Sequence, residues 1–231
     1  MLELEFKIKP RYIAIYSFQY KRGIVSNKLK NKIWDKNKNF FLYLAGKNYD
    51  RVLYGFDRCE RFEEEWKDLM KEEEIKKIIK ETEEFKEKIE KDWNENKEKA
   101  LKLIEKLSGL KLPDKKIKVY LTNPKQKNGS WHREIESITW GPRDKYPLYS
   151  IKYFCHEIMH SLAPRGRVMH AIIELIDEKI HEELTGKKII DGHDYLKEIK
   201  EEIRPKWEKY LKEKTHKNVI ELSEDIKSEK K

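Results

Sequence analysis

Glutamine occurs only at Gln19 and Gln126 in 231 residues, and cysteine only at Cys59 and Cys155. Two thiols are too few for a disulfide framework or a cysteine-ligated zinc knuckle. Cys155 lies on an apolar stripe and reads as a small buried hydrophobe. Long hydrophobic runs are also missing: none approaches the ~20 apolar residues of a membrane span. The N-terminus, MLELEFKIKP, alternates charged and apolar residues where a secretory signal carries an apolar block. The expectation is a soluble, cytoplasmic protein with no membrane partner.

What the chain has instead is charge. Asp, Glu, Lys and Arg make up 41% of it, and the mean hydropathy is -0.94. Lysine and glutamate in excess over glutamine match the surface ion-pair networks of hyperthermophilic proteins. The hydrophobic share of 38% still supplies a core for one large domain or two small ones. The net charge of +9 is uneven, because residues 1–57 hold twelve Lys/Arg against five Asp/Glu. Tyr12, Tyr16, Tyr20, Trp34, Phe40, Phe41 and Tyr43 are interleaved with those lysines, so any nucleic-acid-binding surface belongs there. The same residues also describe a small aromatic-rich subdomain solvated by lysine.

Four regions follow from the patterning. Residues 1–58 form a basic N-terminal α+β region, with Leu2–Ile8 alternating as a strand, Tyr12–Phe18 as a second, and the apolar runs FFLYLAG and RVLYGF beyond. Residues 59–112 are a helical section, with Trp66, Leu69, Ile75, Ile78, Phe85, Ile89 and Trp93 spaced mostly at steps of three to seven. Residues 113–216 open with a strand in KIKVYLT and a second alternating segment in REIESITWGP. Three helices follow, the last bent at Pro205. Residues 217–231 read as a frayed, charged tail. The fold class is α+β.

The chemistry gathers in YFCHEIMHSL, residues 153–162. Leu148, Ile151, Cys155, Ile158 and Leu162 recur at steps of three and four, Pro147 suits a first turn and Pro164 a stop, so the segment is a helix. His156 and His160 then project from one face, one turn apart, near enough to hold one ion. Glu157 sits where a carboxylate takes a proton from metal-activated water, the division of labour expected of H-E-x-x-H. A catalytic zinc needs a third protein ligand. Position 166 is glycine, which excludes the long pattern with a histidine six residues beyond His160. The next helix, Val168 to Thr185 with Gly186 as its cap, carries His170, Glu174, Asp177, Glu178 and His181 on one ionisable stripe. Glu174, about two turns into that helix, is the expected third ligand, with His170 or Glu178 as alternatives. Glu178 is expected to accept the outer N–H of a ligand histidine. Tyr153, His193 and Tyr195 are candidates to stabilise an oxyanion.

HEIMH followed by ELIDE resembles the gluzincin metallopeptidases, the thermolysin-like clan, over about residues 114–190. The family usually shows Asp or Asn where this chain has Glu178. The resemblance implies a zincin-like catalytic module, made of a short mixed sheet with an edge strand, an active-site helix and a glutamate helix. It further implies one catalytic zinc and hydrolysis of peptide bonds with Glu157 as general base. An extended peptide substrate would pair with the edge strand, expected at Ser137, Ile138, Thr139 and Trp140, although the segment from Ile135 to Trp140 reads equally as an interior strand with no substrate role. A different class remains open: a basic nucleic-acid-associated or protein-interaction protein whose metal site is structural or inactive.

Overall fold

The computed structural model describes residues 2–19, 24–46, 49–55, 62–126 and 129–229. It is α+β, with a small four-stranded sheet among many helices. None of the described helices is long and apolar enough to cross a membrane. The chain divides into two compact units: residues 4–90 with 117–143, and residues 1–3 with 91–116 and 144–231.

The first unit begins with β1 (Glu3–Ile8), then α1 (Pro10–Gln19), α2 (Asn27–Lys36), α3 (Lys38–Ala45), α4 (Tyr49–Leu53), α5 (Glu63–Lys71) and the start of α6 (Glu73–Ser108). Asn37 ends α2 and restarts the chain, its side chain accepting the Phe40 N–H as the cap of α3. Phe40 packs edge-on against Trp66 at 5.3 Å, within a core that also holds Ile13, Phe18, Leu44, Leu69 and Ile75. Arg11 closes this core from outside, with its guanidinium 5.3 Å from the Trp66 ring and 2.9 Å from both Glu63 oxygens.

The sheet of this unit comprises β1, β2 (Lys116–Leu121), β3 (Ser130–His132) and β4 (Ser137–Trp140), in the order β1-β2-β4-β3. β4 pairs parallel to β2 and antiparallel to β3, with Ile138 opposite both Val119 and Trp131. Gly141, directly after β4, lies so close to Thr122 and the Asn123 carbonyl that a Cβ there would collide with both.

The second unit contains the rest of α6, then α7 (Tyr149–Leu162), α8 (Arg167–Thr185), α9 (Lys197–Glu213) and α10 (Val219–Ser228). Ile151, Phe154, Cys155, Ile158 and Met159 of α7 are fully buried, as are Ala171, Ile172, Ile173, Ile176 and Ile180 of α8. Trp93 of α6 meets Phe154 edge-on at 6.0 Å. The isoleucine, phenylalanine and methionine side chains buried to this degree each contribute about 1.5–3 kcal/mol to folding, which fixes the helices that carry the polar stripe.

Several sequence expectations change here. Tyr12–Phe18 is helical, because α1 buries Tyr12, Ile13, Ala14, Ile15, Ser17 and Phe18, and a run buried on nearly all sides carries no helical period. Tyr12 and Phe40 are core residues at 0% and 1% exposure, so these rings are withheld from stacking on bases, while Trp34 stays 39% exposed. The helical section breaks at Glu72, whose extended backbone separates α5 from α6. The pieces FFLYLAG and RVLYGF supply α3 and α4. Arg133–Ile135 is a short 3-10 turn, not strand.

The expected substrate edge, Ser137, Ile138, Thr139 and Trp140, is an interior strand with neighbours on both sides; its residues are buried and its ladder is used within the sheet. The expected frayed tail forms α10, where Asn218 caps the helix and Val219, Leu222 and Ile226 are buried. The proposed boundary after residue 58, Cys59 and Tyr20 lie outside the described residues.

Candidate metal centre

α7 and α8 are consecutive helices joined by the break Ala163–Gly166. His160 stands two residues from the end of α7 and His170 three residues from the start of α8, so a fold-back at the break puts the two at the same level. Their ring centroids are 4.7 Å apart. His156, one turn back on α7, completes a trio, its Nε2 lying 2.9 Å from His160 Nε2 and 3.2 Å from His170 Nε2. Nitrogens bound tetrahedrally to one zinc at ~2.05 Å stand about 3.3 Å apart, a spacing close to that of these three. Together they form a group able to hold a metal.

The protonation states of two of the three suit that task. Burial, together with the charge of His156 and of other neighbouring histidines, pushes His160 down to about 3 and His170 down to about 4. Both are therefore neutral near pH 7, as imidazole ligands must be. Burial alone would also lower His156, but the Asp177 carboxylate outweighs it and raises this histidine. Asp177 Oδ2 is 2.6 Å from His156 Nδ1 and the residue is 1% exposed. Nδ1–H donated to Asp177 leaves Nε2 for an ion.

The role expected of Glu178 thus belongs to Asp177, the preceding residue on the same helix. Glu178 is committed elsewhere, accepting from Lys200 Nζ at 2.6 Å and from the Arg204 guanidinium at 3.2 Å. The trio that contains both histidines of HEIMH is likewise completed by His170, not by Glu174. Glu174 Oε1 accepts the His193 backbone N–H at 2.8 Å and lies 2.7 Å from His193 Nδ1, while Lys200 Nζ is 3.2 Å from Oε2. Burial would raise the Glu174 carboxyl, yet the His193 and Lys200 contacts hold it at about 2.

Glu157 is 5% exposed, and burial pushes its carboxyl above the usual range although His156 and a hydrogen bond from Tyr153 pull the other way. A carboxylate raised in this way is a stronger proton acceptor than one in water. Tyr153 also stacks on His156, with rings 16° from parallel. Tyr195 places its hydroxyl 3.2 Å from His170 Nδ1 and is 59% exposed. His181, the last member of the stripe, faces two backbone carbonyls, of Pro147 at 3.0 Å and Lys187 at 3.1 Å, and is structural.

His193 reaches the site on a strap, residues 187–193, fastened at Asp191. The Asp191 carboxylate accepts from Tyr146 Oη at 2.8 Å and Lys152 Nζ at 3.2 Å, and its carbonyl accepts from Lys200 Nζ at 2.7 Å. Gly192 follows with φ 136°, pressed so closely on the Glu174 carboxylate that a Cβ would overlap it.

Glu157, Glu174, Asp177 and Glu178 are four carboxyl groups each at most 8% exposed, against which Lys200 and Arg204 supply two cations. Three converging imidazoles, one of them backed by a buried carboxylate, are a donor set that fits a divalent transition-metal ion. Compared with protein-family models, with curated proteins and with solved structures, the chain matches none.

Proposed function

We propose that the protein is a zinc-dependent hydrolase that cleaves peptide bonds, with His156, His160 and His170 holding the ion and Glu157 as general base. The observation that carries this reading is the convergence of three imidazole Nε2 atoms beside a buried carboxylate of raised pKa. When bound, the ion supplies a Lewis acid that brings water toward ionisation near neutral pH.

The chain's own residues account for the remaining steps. Glu157 takes the proton released as water adds to the carbonyl and delivers it to the departing amine. Asp177 keeps His156 in the tautomer that presents Nε2. Glu174 accepts Nδ1–H from His193 and fixes the ring, and the imidazolium form of His193, paired with that carboxylate, donates Nε2–H to the oxygen that gains charge. Tyr195, beside His170, is a second donor to the same charge. The zincin-like architecture is part of this proposal, with His170 in place of the glutamate ligand and without β4 as a substrate edge.

Elemental analysis of untagged protein purified without added metal, followed by cleavage of a peptide library, tests the proposal. About one zinc per chain, lost in His170→Ala, with cleavage abolished in Glu157→Gln while zinc is retained, is the expected result. Absence of zinc after reconstitution, or cleavage that survives Glu157→Gln, overturns it.

A further inference from the structure

His170 belongs to two groups of potential ligands. One is the trio with His156 and His160; the other is His170, Glu174 and His193, whose ligand atoms also lie within 4.8 Å of one another. The second trio is joined to the first through ring contacts, His170 to His193 at 4.8 Å and His156 to His193 at 6.4 Å between centroids. It differs in chemistry and in access. It contains a carboxylate that is 3% exposed, and its His193 side chain is 51% exposed, against 10% for His156.

We propose that His170, Glu174 and His193 form a second station for a divalent transition-metal ion, alternative to the first and sharing His170 with it. A neutral imidazole gives one lone pair to one ion, so His170 cannot complete both trios at once. The chain therefore carries one tightly held ion with two places to put it, and His170 is the ligand common to both. With the His193 ring neutral, occupying the second station replaces the hydrogen bond between Glu174 Oε1 and His193 Nδ1 by two bonds to the ion, and the Nδ1 proton transfers to Nε2 through solvent, with no net release. Lys200, 3.2 Å from Glu174 Oε2, opposes a cation there, although its charge is shared with Glu178 at 2.6 Å. That repulsion, and the loss of one imidazole in exchange for a carboxylate, make the second station the weaker of the two for zinc.

The inference rests on the metal-binding part of the proposed function but not on catalysis, and its test reads binding alone. Metal-free protein is titrated with zinc in competition with a chromogenic chelator, and with cobalt(II) followed by visible absorption. Wild type and His193→Ala should each bind one zinc with affinities within about threefold. His160→Ala should still bind one, weaker by about 100-fold or more, with an altered cobalt spectrum as a carboxylate enters the ligand set. His160→Ala/His193→Ala should lose at least about a further tenfold. If His160→Ala binds no better than the double variant, the second station is overturned while the first stands. If zinc is unaffected by His160→Ala but lost in His193→Ala, the first trio is overturned and the second is the true centre. Failure of wild type to bind either ion overturns both. Circular dichroism of each metal-free variant separates these outcomes from loss of the fold.

Discussion

Asp177→Asn is the substitution that most directly probes how the centre is held. The exchange keeps side-chain volume and one acceptor oxygen, so His156 can still donate Nδ1–H across the 2.6 Å contact. It removes the charge that raises the basicity of the ring. A hydrogen bond to a charged partner contributes about 1.5–3 kcal/mol against about 0.5–1.5 for a neutral one. The difference, about 1–2 kcal/mol, converts to roughly 5- to 30-fold in affinity at 1.4 kcal/mol per decade. Outer carboxylates of metal-bound histidines, when changed, cost about 10–100-fold, which brackets the same range. Zinc affinity measured against a chelator should therefore fall by about tenfold. Glu178→Gln, by contrast, should leave zinc affinity within about twofold and lower thermal stability, since Glu178 answers Lys200 and Arg204 rather than a histidine. A zinc affinity unchanged in Asp177→Asn, or reduced more in Glu178→Gln, would refute the assignment of Asp177.

Three further outcomes are expected. Gly192→Ala forces a Cβ into the Glu174 carboxylate at a φ that alanine rarely adopts, so it should lower stability by about 1–3 kcal/mol and lower peptide cleavage with zinc content unchanged; calorimetry and elemental analysis read the two effects. Trp66→Ala empties a site at the centre of the first unit's aromatic core and should cost about 3–5 kcal/mol in denaturant unfolding. Asp191 is opposed by burial but held at about 2 by Lys152, the Tyr146 hydroxyl and the Gly192 N–H. Its folded value lies below its unfolded one, so the stabilisation is complete above about pH 4 and is lost as pH falls toward 2. It amounts to about 2 kcal/mol, and Asp191→Asn should flatten that part of the acid limb in a pH series of melting curves.

The α7 helix was legible because its apolar residues keep one period between two proline signals, and the pattern HEIMH lies on it. The choice among the acids and histidines of α8 was not legible in the same way. His170, Glu174, Asp177 and Glu178 share one stripe, and a stripe fixes a face of a helix without fixing its level against a neighbour. The break did hold that information: with only four residues between the helices, positions at nearly the same distance from it come together, which pairs His160 with His170. Asp177 against Glu178 is a rotation of 100° about the helix, set by which apolar side chains of α8 pack beneath. The interior place of β4 came from β3, a three-residue strand too short to show an alternation in the sequence. α10 was hidden by composition, as its stripe of Val219, Leu222 and Ile226 is thin beside the charges around it.

Cys155 immediately precedes His156 and is fully buried, and burial raises its thiol well above the usual range. Burial disfavours the thiolate while α7 is packed against its neighbours, and separation of the helix relieves that penalty. The rate at which a thiol reagent reaches that sulfur is thus a natural clock for opening of the helix that carries the histidines, readable in the unmodified chain once labelling is resolved from that of Cys59 by peptide mapping. An ion shared between α7 and α8 would slow that clock by the free energy of its binding, so the same sulfur that cannot be a ligand reports whether one is present.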